Sequence, residues 1–198
     1  MHTPSLHWQR LSQITPCLAW LSPGELVPSH HRFYRSRTFL RQILGQYLHL
    51  PPAAVPLTTN PSGKPVLVNF PLHFNLAHSG DWLVVAVSDR SPVGVDLEKI
   101  RPRPYQQLID RYFSSREGQW FSHQAAEELF YRAWVAKEAY AKLLELPLLP
   151  SLRQLETIPL LTERKMTVVQ PGPQGGEITI EVIDSPPGYA AALAYRTL

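Results

Sequence analysis

Two acidic residues in the segment GVDLE, residues 94–98, are spaced so that they can act together. Successive side chains of a β-strand point to opposite faces, so Asp96 and Glu98 would lie on one face of a strand. Two adjacent carboxylates repel each other unless a cation lies between them. Mg²⁺ suits this position because it binds one or two carboxylates and completes its shell with water and phosphate oxygens. The alternative is a solvated strand end beside Lys99 and Arg101.

A second candidate group lies in the segment WVAKEAYAK, residues 134–142. Glu138 and Lys142 have the i, i+4 spacing that places both on one face of a helix. One interpretation is an exposed ion pair that adds about 0.3–0.5 kcal/mol to helix stability. In the other, Glu138 is a third metal ligand or a general base and Lys142 faces phosphate charge, while Trp134 holds this part of the helix against the core.

Cationic side chains are concentrated in the first part of the chain. Residues 1–80 contain six Lys and Arg residues against one acidic residue, and the rest of the chain contains 13 against 15. Lys64 in SGKP and His78 in FNLAHSGD lie at predicted turns, where cations beside backbone N–H groups can bind phosphates. The alternatives are a solvent-facing Lys64 and a structural His78. The uneven charge therefore suggests a polyanion at one half and a cation or a proton at the other.

The composition excludes several classes of protein. With 198 residues, 44% of them hydrophobic, the chain can build a core despite 20 prolines, which argues against disorder. The longest apolar run, Trp82 to Val87, is far shorter than the roughly 20 residues of a membrane helix. The N-terminal segment has no apolar signal region, and the single Cys17, expected in the core, cannot form an internal disulfide. We therefore expect a cytoplasmic protein.

These groups need a scaffold, and the hydrophobic pattern predicts one. Apolar residues at helical spacing predict a long helix from Ser29, its N-cap, to Leu48, and another over residues 125–145. Apolar runs and alternation predict strands. The predicted strands cover residues 17–21, 65–68, 73–78, 82–88, 93–98, 155–160, 166–169, 177–183 and 189–195, and short helices cover 105–113 and 115–123. Each half is a long helix followed by strands, which predicts an α+β fold of two similar lobes.

The motifs also resemble those of a known family. GKP, FNLAHSGDW, VGVDLEKIRP and FYRAWVAKEAYAK follow one another in this order over roughly residues 30–145. In order and spacing they resemble the 4′-phosphopantetheinyl transferases that modify carrier proteins of fatty-acid, polyketide and nonribosomal peptide synthesis. The resemblance implies transfer of the 4′-phosphopantetheine arm of coenzyme A to a serine of an apo acyl or peptidyl carrier protein, with release of adenosine 3′,5′-bisphosphate.

The resemblance further implies a division of the chain. Two similar lobes would lie in a pseudo-twofold arrangement, each with a long helix packed on a small, mainly antiparallel sheet, and the active site would lie in the cleft between them. Residues 1–98 would form the lobe that binds the nucleotide of coenzyme A. Residues 99–198 would form the lobe that carries the catalytic helix and contacts the carrier protein. Such a protein would act as a monomer, without nucleic acid or membrane.

Matching the family's motifs residue by residue implies roles for the charged groups. Asp96, Glu98 and Glu138 would bind Mg²⁺ at the pyrophosphate of coenzyme A. Glu138, directly or through a metal-bound water, would help to take the proton from the carrier serine. Lys142 would act with Glu138 in catalysis by neutralising the charge of the pyrophosphate. Lys137 would lie next to Lys142 at the pyrophosphate. The nucleotide contacts would come from Arg32, Arg37, Thr38, Lys64, Pro65 and His78.

The sequence departs from the family pattern beside His78 and after the catalytic helix. Ala77 stands where many members have serine before the histidine, and LLELPLLPSL replaces a glycine-containing segment after the catalytic helix. Two other functions stay open: a coenzyme A binder without catalysis and a nucleic-acid-binding module. The first would not need the three carboxylates. Against the second, the arginines between residues 32 and 41 are not interleaved with aromatic residues as in a base-stacking platform. A broad transferase and one confined to a single carrier are both compatible with the motifs.

Overall fold

The computed structural model describes residues 3–14, 31–61, 63–123, 127–147, 152–170 and 175–197. The predicted strand at residues 17–21, Cys17 and the Ser29 N-cap lie outside these residues. The described helices and strands are, in chain order, β1 (Ser5–Arg10), α1 (His31–Leu48), β2 (Leu57–Thr59), β3 (Pro65–Leu67), β4 (His73–Ser79), β5 (Trp82–Ser88), β6 (Val93–Lys99), α2 (Tyr105–Tyr112), α3 (Ser115–His123), α4 (Glu127–Leu143), α5 (Ile158–Thr162), β7 (Lys165–Gln170), β8 (Gly176–Ile183) and β9 (Tyr189–Arg196).

The described strands form three antiparallel sheets. One sheet has the order β1-β5-β4, another has the order β6-β9-β8-β7, and β2 pairs with β3. This arrangement confirms the predicted α+β class, whereas the pseudo-twofold relation of two lobes stays a prediction. Because β6 pairs with β9, the chain passes from the three-stranded to the four-stranded sheet between β5 and β6. The boundary between lobes after residue 98 stays a prediction.

The central strand of the three-stranded sheet, β5, is buried on both faces. Leu83 and every second residue after it on β5 pack with Leu40 and Leu44 of α1. Val84 and Ala86 point to the opposite face and pack against residues of the four-stranded sheet. A strand that is buried on both faces needs apolar side chains on both, which explains the nearly continuous apolar sequence of β5. On the far side of the four-stranded sheet lies α4, so the two long helices cover the outer faces of two stacked sheets.

The second long helix, α4, lies directly on β6, and Gly94 makes this approach possible. A Cβ atom at position 94 would lie 2.1 Å from the carbonyl oxygen of Ala139 and 2.6 Å from the backbone nitrogen of Leu143. Opposite Asp96, strand β9 carries Ala192, whose small side chain also leaves room for the helix. The side chains on this face of β6 are therefore brought under α4.

Most predicted elements match the described ones, and one predicted strand is wrong. The predicted strand at residues 155–160 overlaps α5, a helix with Pro159 in its first turn, where a proline needs no N–H partner. Strands β1 and β2 have no counterpart in the prediction, because their side chains do not alternate clearly between buried and exposed. Among the described residues, no helix combines the length and the apolar composition that crossing a membrane requires.

Candidate functional site

Three carboxylates converge where β6 meets α4, and we call them the acidic cluster: Asp96, Glu98 and Glu138. One oxygen atom of each lies within 4.8 Å of the other two. Asp96 and Glu98 share the face of β6 that lies under α4, because side chains alternate along a strand, and Glu138 comes from the helix. Carboxylate oxygens are the ligands of hard divalent cations, so this arrangement could hold one.

Asp96 is the most deeply buried member of the acidic cluster, with 3% of its surface exposed. Its Oδ1 accepts a hydrogen bond of 2.6 Å from Lys142 Nζ, which also donates to the carbonyl oxygen of Val95 at 3.2 Å. Its Oδ2 is buried and has no hydrogen-bond partner. An unpaired buried carboxylate oxygen costs free energy. A cation at Oδ2 would remove that cost, so the residues present fit a metal ion.

Glu98 is held by two neighbours that sequence reasoning missed. Ser79 Oγ donates to its Oε2 at 3.0 Å, and Arg103 Nη2 donates to the same oxygen at 3.3 Å. Burial and the carboxylate of Asp96 raise the pKa of Glu98, although Ser79 and Arg103 oppose the shift. The only sequence signal for these neighbours is their position, since Ser79 ends the strand beside β6 and Arg103 follows β6 closely.

Glu138 completes the acidic cluster and titrates at a higher pH than an exposed glutamate. Burial, followed by the charge of Asp96, raises the pKa of Glu138 to about 8, even though Lys142 opposes the shift. Burial alone would lower the pKa of Lys142, but Asp96 and Glu138 outweigh it and the pKa is raised. Without a metal ion, the acidic cluster therefore keeps a proton near neutral pH beside a charged lysine.

A cavity of about 200 Å³ is lined by α1, β3 and β4, and we call it the cation cavity. Its wall includes Arg37, Lys64, Pro65 and His78, which are four of the six predicted nucleotide contacts. The guanidinium carbon of Arg37 lies 5.0 Å from the centre of the Phe33 ring, which lines the same cavity. The structure thus brings together residues that are distant in the sequence.

The other two predicted nucleotide contacts have different positions. Arg32 is exposed on α1. Burial lowers the pKa of His78, and the positive charge of Arg32 lowers it further. Thr38 is 1% exposed and does not line the cation cavity, so nothing in this structure supports its direct contact with a nucleotide. Ala77 is also buried, in the core between the two larger sheets.

Strand β4 connects the cation cavity to the acidic cluster. His78 lines the cavity, and the next residue, Ser79, donates to Glu98. The charges of Lys142 and Asp96 also act on the pKa of His78, the first lowering it and the second raising it. A ligand with several phosphates could therefore contact the cation cavity and the acidic cluster at the same time.

Lys137 does not face this site, which corrects the prediction that it neighbours the pyrophosphate. Its Nζ forms an ion pair of 2.9 Å with Glu117, and both side chains are completely buried. Burial lowers the pKa of Lys137, and Glu117 opposes the shift. The sequence contains a signal for this burial, because Lys137 lies three residues after Trp134 and four before Ala141, both buried on α4. Nothing in the sequence points to Glu117 as its partner.

Comparison with known proteins decides the family. The family model of the 4′-phosphopantetheinyl transferase superfamily matches residues 92–194, just over half of the chain. The chain belongs to this superfamily. The matched region contains the whole acidic cluster and Lys142, and the residues of the cation cavity precede it.

Three related phosphopantetheinyl transferases show the extent of the similarity. The chain is 42% identical over 108 residues to the 4′-phosphopantetheinyl transferase psf-1 of Bacillus pumilus, 35% over 147 residues to HetI of Nostoc sp., and 31% over 119 residues to Sfp of Bacillus subtilis. The alignments cover 52%, 66% and 57% of this chain and 46%, 62% and 51% of the relatives, respectively. The chain thus spans about half the length of the curated relatives it matches.

Proposed function

We propose that this chain is a holo-carrier-protein synthase. It would transfer the 4′-phosphopantetheine moiety of coenzyme A to a serine of an apo acyl or peptidyl carrier protein and release adenosine 3′,5′-bisphosphate. The observation that carries the proposal is the acidic cluster, with the unpaired Oδ2 of Asp96, beside a cavity lined by cationic side chains. The pyrophosphate of coenzyme A would bind at the acidic cluster, and its further phosphate charge would bind in the cation cavity.

The reaction breaks one phosphorus–oxygen bond of the pyrophosphate and forms another. The carrier serine Oγ attacks the phosphorus atom that bears the pantetheine, and its proton passes to Glu138. Adenosine 3′,5′-bisphosphate leaves with the electron pair of the broken bond. Glu138 would accept this proton in its ionised form, which a cation in the acidic cluster would favour. Burial and the charge of Asp96 favour the protonated form of Glu138 once the proton has been transferred. Lys142 stabilises the negative charge that develops on the phosphates.

Mg²⁺ is the proposed cofactor, and the acidic cluster would hold it. When bound there, it supplies positive charge to the pyrophosphate. Arg37, Lys64 and His78 would bind the nucleotide phosphates, with Arg32 at the exposed edge of the cavity. In this proposal residues 1–98 form the lobe that binds the nucleotide, residues 99–198 form the lobe that carries the catalytic helix and contacts the carrier protein, and the protein acts as a monomer in the cytoplasm.

Intact-mass spectrometry of the carrier protein tests the transfer directly. The purified chain is incubated with an apo carrier protein, coenzyme A and Mg²⁺. We expect the carrier mass to increase by one phosphopantetheine arm, and to stay unchanged when the carrier serine is replaced by alanine or EDTA is added. Apo carriers of fatty-acid, polyketide and peptide synthesis distinguish a broad enzyme from one confined to a single carrier. If coenzyme A binds but no carrier changes mass, the chain is a non-catalytic binder.

Calorimetric titration with coenzyme A tests the cation cavity separately from catalysis. We expect Lys64→Ala to weaken binding by about tenfold, the loss of one charge-assisted hydrogen bond, and added salt to weaken it further. Lys165→Ala is the matched control, because it removes a half-exposed lysine on β7 that pairs with Glu181. Affinity that neither Lys64→Ala nor salt changes would show that the cation cavity is only a solvated surface.

A further inference from the structure

Lys64, a proposed phosphate ligand, already has an anionic partner. Its Nζ lies 2.7 Å from Oε1 of Glu145, and the side chains are 26% and 60% exposed. Lys64 precedes β3, whereas Glu145 follows the last residue of α4, 81 positions later in the chain. The ion pair therefore joins the cation cavity to the end of the helix that carries Glu138.

Hydrogen bonds hold the backbone at both ends of this ion pair. The N–H of Lys64 donates to Asn60 Oδ1 at 2.9 Å, and the N–H of Asn60 donates to the carbonyl oxygen of Lys64 at 2.9 Å. Glu145 has a φ of 53°, the left-handed conformation that ends helices and that glycine adopts most readily. The N–H of Leu146 closes the helix end by donating to the carbonyl oxygen of Ala141 at 3.0 Å. Breaking the ion pair thus requires movement of side chains alone.

Lys64 lies on the wall between two cavities. One is the cation cavity, and the other, of about 240 Å³, shares Lys64, Pro65 and Phe74 with it. Glu145 lines the second cavity and not the first. The ion pair therefore joins Lys64 to a residue of the second cavity. Burial and then the charge of Lys64 lower the pKa of His73, which also lines this second cavity.

We propose that Glu145 competes with coenzyme A for Lys64. The inference rests on the proposed function, since it takes Lys64 as a phosphate ligand. A carboxylate at hydrogen-bond distance from Nζ neutralises the charge that a phosphate would use, and it repels the phosphate itself. Binding of coenzyme A breaks the Lys64–Glu145 pair, and release of the nucleotide product forms it again. Glu145 thereby weakens nucleotide binding and favours product release.

Titration of coenzyme A into Glu145→Gln, at low and at high salt, tests this competition. Exposed ion pairs contribute about 0.2–1 kcal/mol, so we expect the variant to bind coenzyme A roughly 1.4- to fivefold more tightly at low salt. The gain should shrink as salt screens the pair. In the Lys64→Gln background, Glu145→Gln should give no gain, because the competing partner is absent.

Two further variants separate the charge of Glu145 from its backbone conformation. Glu145→Gly removes the carboxylate and also suits the left-handed conformation, and it should show the same gain in affinity as Glu145→Gln. Glu181→Gln is the matched control, because it removes another glutamate paired with a lysine, Lys165, in the strand pair β7–β8. Its affinity for coenzyme A should equal that of the unmodified chain.

The possible results separate the inference from the proposed function. If the unmodified chain binds coenzyme A and Glu145→Gln binds it equally or more weakly, the competition is overturned while the proposed function stands. A gain that persists in the Lys64→Gln background also overturns it, since Glu145 would then act by general repulsion. If the unmodified chain binds no coenzyme A, the proposed function fails and the inference fails with it.

Discussion

Helix α4 carries two lysines that each pair with a carboxylate, and the first pair uses all of its hydrogen-bonding positions. Lys137 Nζ donates to Glu117 Oε2 at 2.9 Å and to the carbonyl oxygens of Leu152 and Leu155, which occupies its three donors. Glu117 also accepts from the backbone N–H groups of Ser114 and Thr157, each at 2.9 Å, and from the Thr157 hydroxyl. No position is left for a ligand.

The second pair, between Lys142 and Asp96, is incomplete. Lys142 Nζ donates to Asp96 Oδ1 and to one carbonyl oxygen, while Asp96 Oδ2 has no partner. Glu98 and Glu138 lie next to it, and burial, followed by the charge of Asp96, raises the pKa of both. The side chain of Lys142 is 29% exposed, whereas those of Lys137 and Glu117 have no exposed surface.

The difference shows how two lysine–carboxylate pairs, with both lysines on one helix, serve different purposes. Complete pairing satisfies the desolvated charges and ties α3, α4 and the segment before α5 together. Incomplete pairing leaves an unsatisfied carboxylate oxygen and a raised pKa, which are properties of sites that bind metal or exchange protons. Four changes test this distinction, from the largest expected effect to the smallest.

Asp96→Asn should remove the function of the incomplete pair while leaving the fold intact. We expect the rate of transfer to fall on the order of 10⁴-fold, or about 5 kcal/mol of transition-state stabilisation, because the acidic cluster loses a metal ligand. Coenzyme A binding should persist. The rate is measured by carrier mass and binding by calorimetry. Asp110→Asn, at an exposed aspartate of α2 that accepts from Gln106, is the matched control. An active Asp96→Asn variant would exclude the acidic cluster from the reaction.

Glu117→Gln should have the opposite profile, with loss of stability and retained activity. It leaves the Lys137 ammonium group buried without its counter-charge, which we expect to cost about 3–5 kcal/mol of the free energy of unfolding in urea. Transfer per folded molecule should stay within a few-fold of the unmodified chain. Glu163→Gln, at an exposed glutamate, controls for loss of charge. If Glu117→Gln lost activity at unchanged stability, the complete pair would have a role in the reaction.

Gly94→Ala should separate the two elements that form the acidic cluster. Its Cβ would meet backbone atoms of Ala139 and Leu143, which cannot rotate away, so we expect a loss of about 1–3 kcal/mol in the free energy of unfolding. Mg²⁺ binding, followed by calorimetry, should weaken as well. Gly118→Ala in α3 is the control, because its Cβ meets only a side-chain atom of Ile109 at 3.9 Å and alanine favours the helix. Equal effects of the two variants would contradict close approach at Gly94.

The metal-free protein should become less stable as pH rises from about 4.5 to about 8. Glu138 keeps its proton in the folded chain up to about pH 8 but loses it near 4.5 in the unfolded chain. The unfolded chain therefore binds fewer protons in this window, and stability falls with pH. Glu98, whose pKa is also raised, is coupled to Glu138, and both residues are only half-buried, so we expect a change on the order of 1 kcal/mol. Urea midpoints measured with EDTA at several pH values check this. Glu138→Gln should flatten the profile, and a stability that rises with pH would contradict the prediction.

Local spacing was enough to predict the parts of the site that lie on one element. The alternation of β6 places Asp96 and Glu98 on one face, and the helical period places Glu138 and Lys142 on one face of α4. Periodicity also located most strands and helices. It was wrong at residues 155–160, where Leu155 and Leu160 are buried from a turn and a short helix rather than from a strand.

Contacts between distant segments were beyond such reasoning. Glu117 and Lys137 are 20 positions apart, and Lys64 and Glu145 are 81 apart. Neither spacing is a period of a helix or a strand, so no local pattern identifies the partner. The same holds for Ser79 and Glu98, whose hydrogen bond depends on how β4 lies beside β6.

The sequence by itself determined the residue types, their local faces and the concentration of cations before residue 80, which together indicated a metal site and an anion site. Only the tertiary structure decided which charges would be satisfied. Packing of α4 on β6 through Gly94 brings three carboxylates within 4.8 Å and leaves one oxygen unpaired, while the segment before α5 closes around Lys137. The physical reason is that burial sets the cost of an unpaired charge, and burial is a property of the packed chain rather than of any segment.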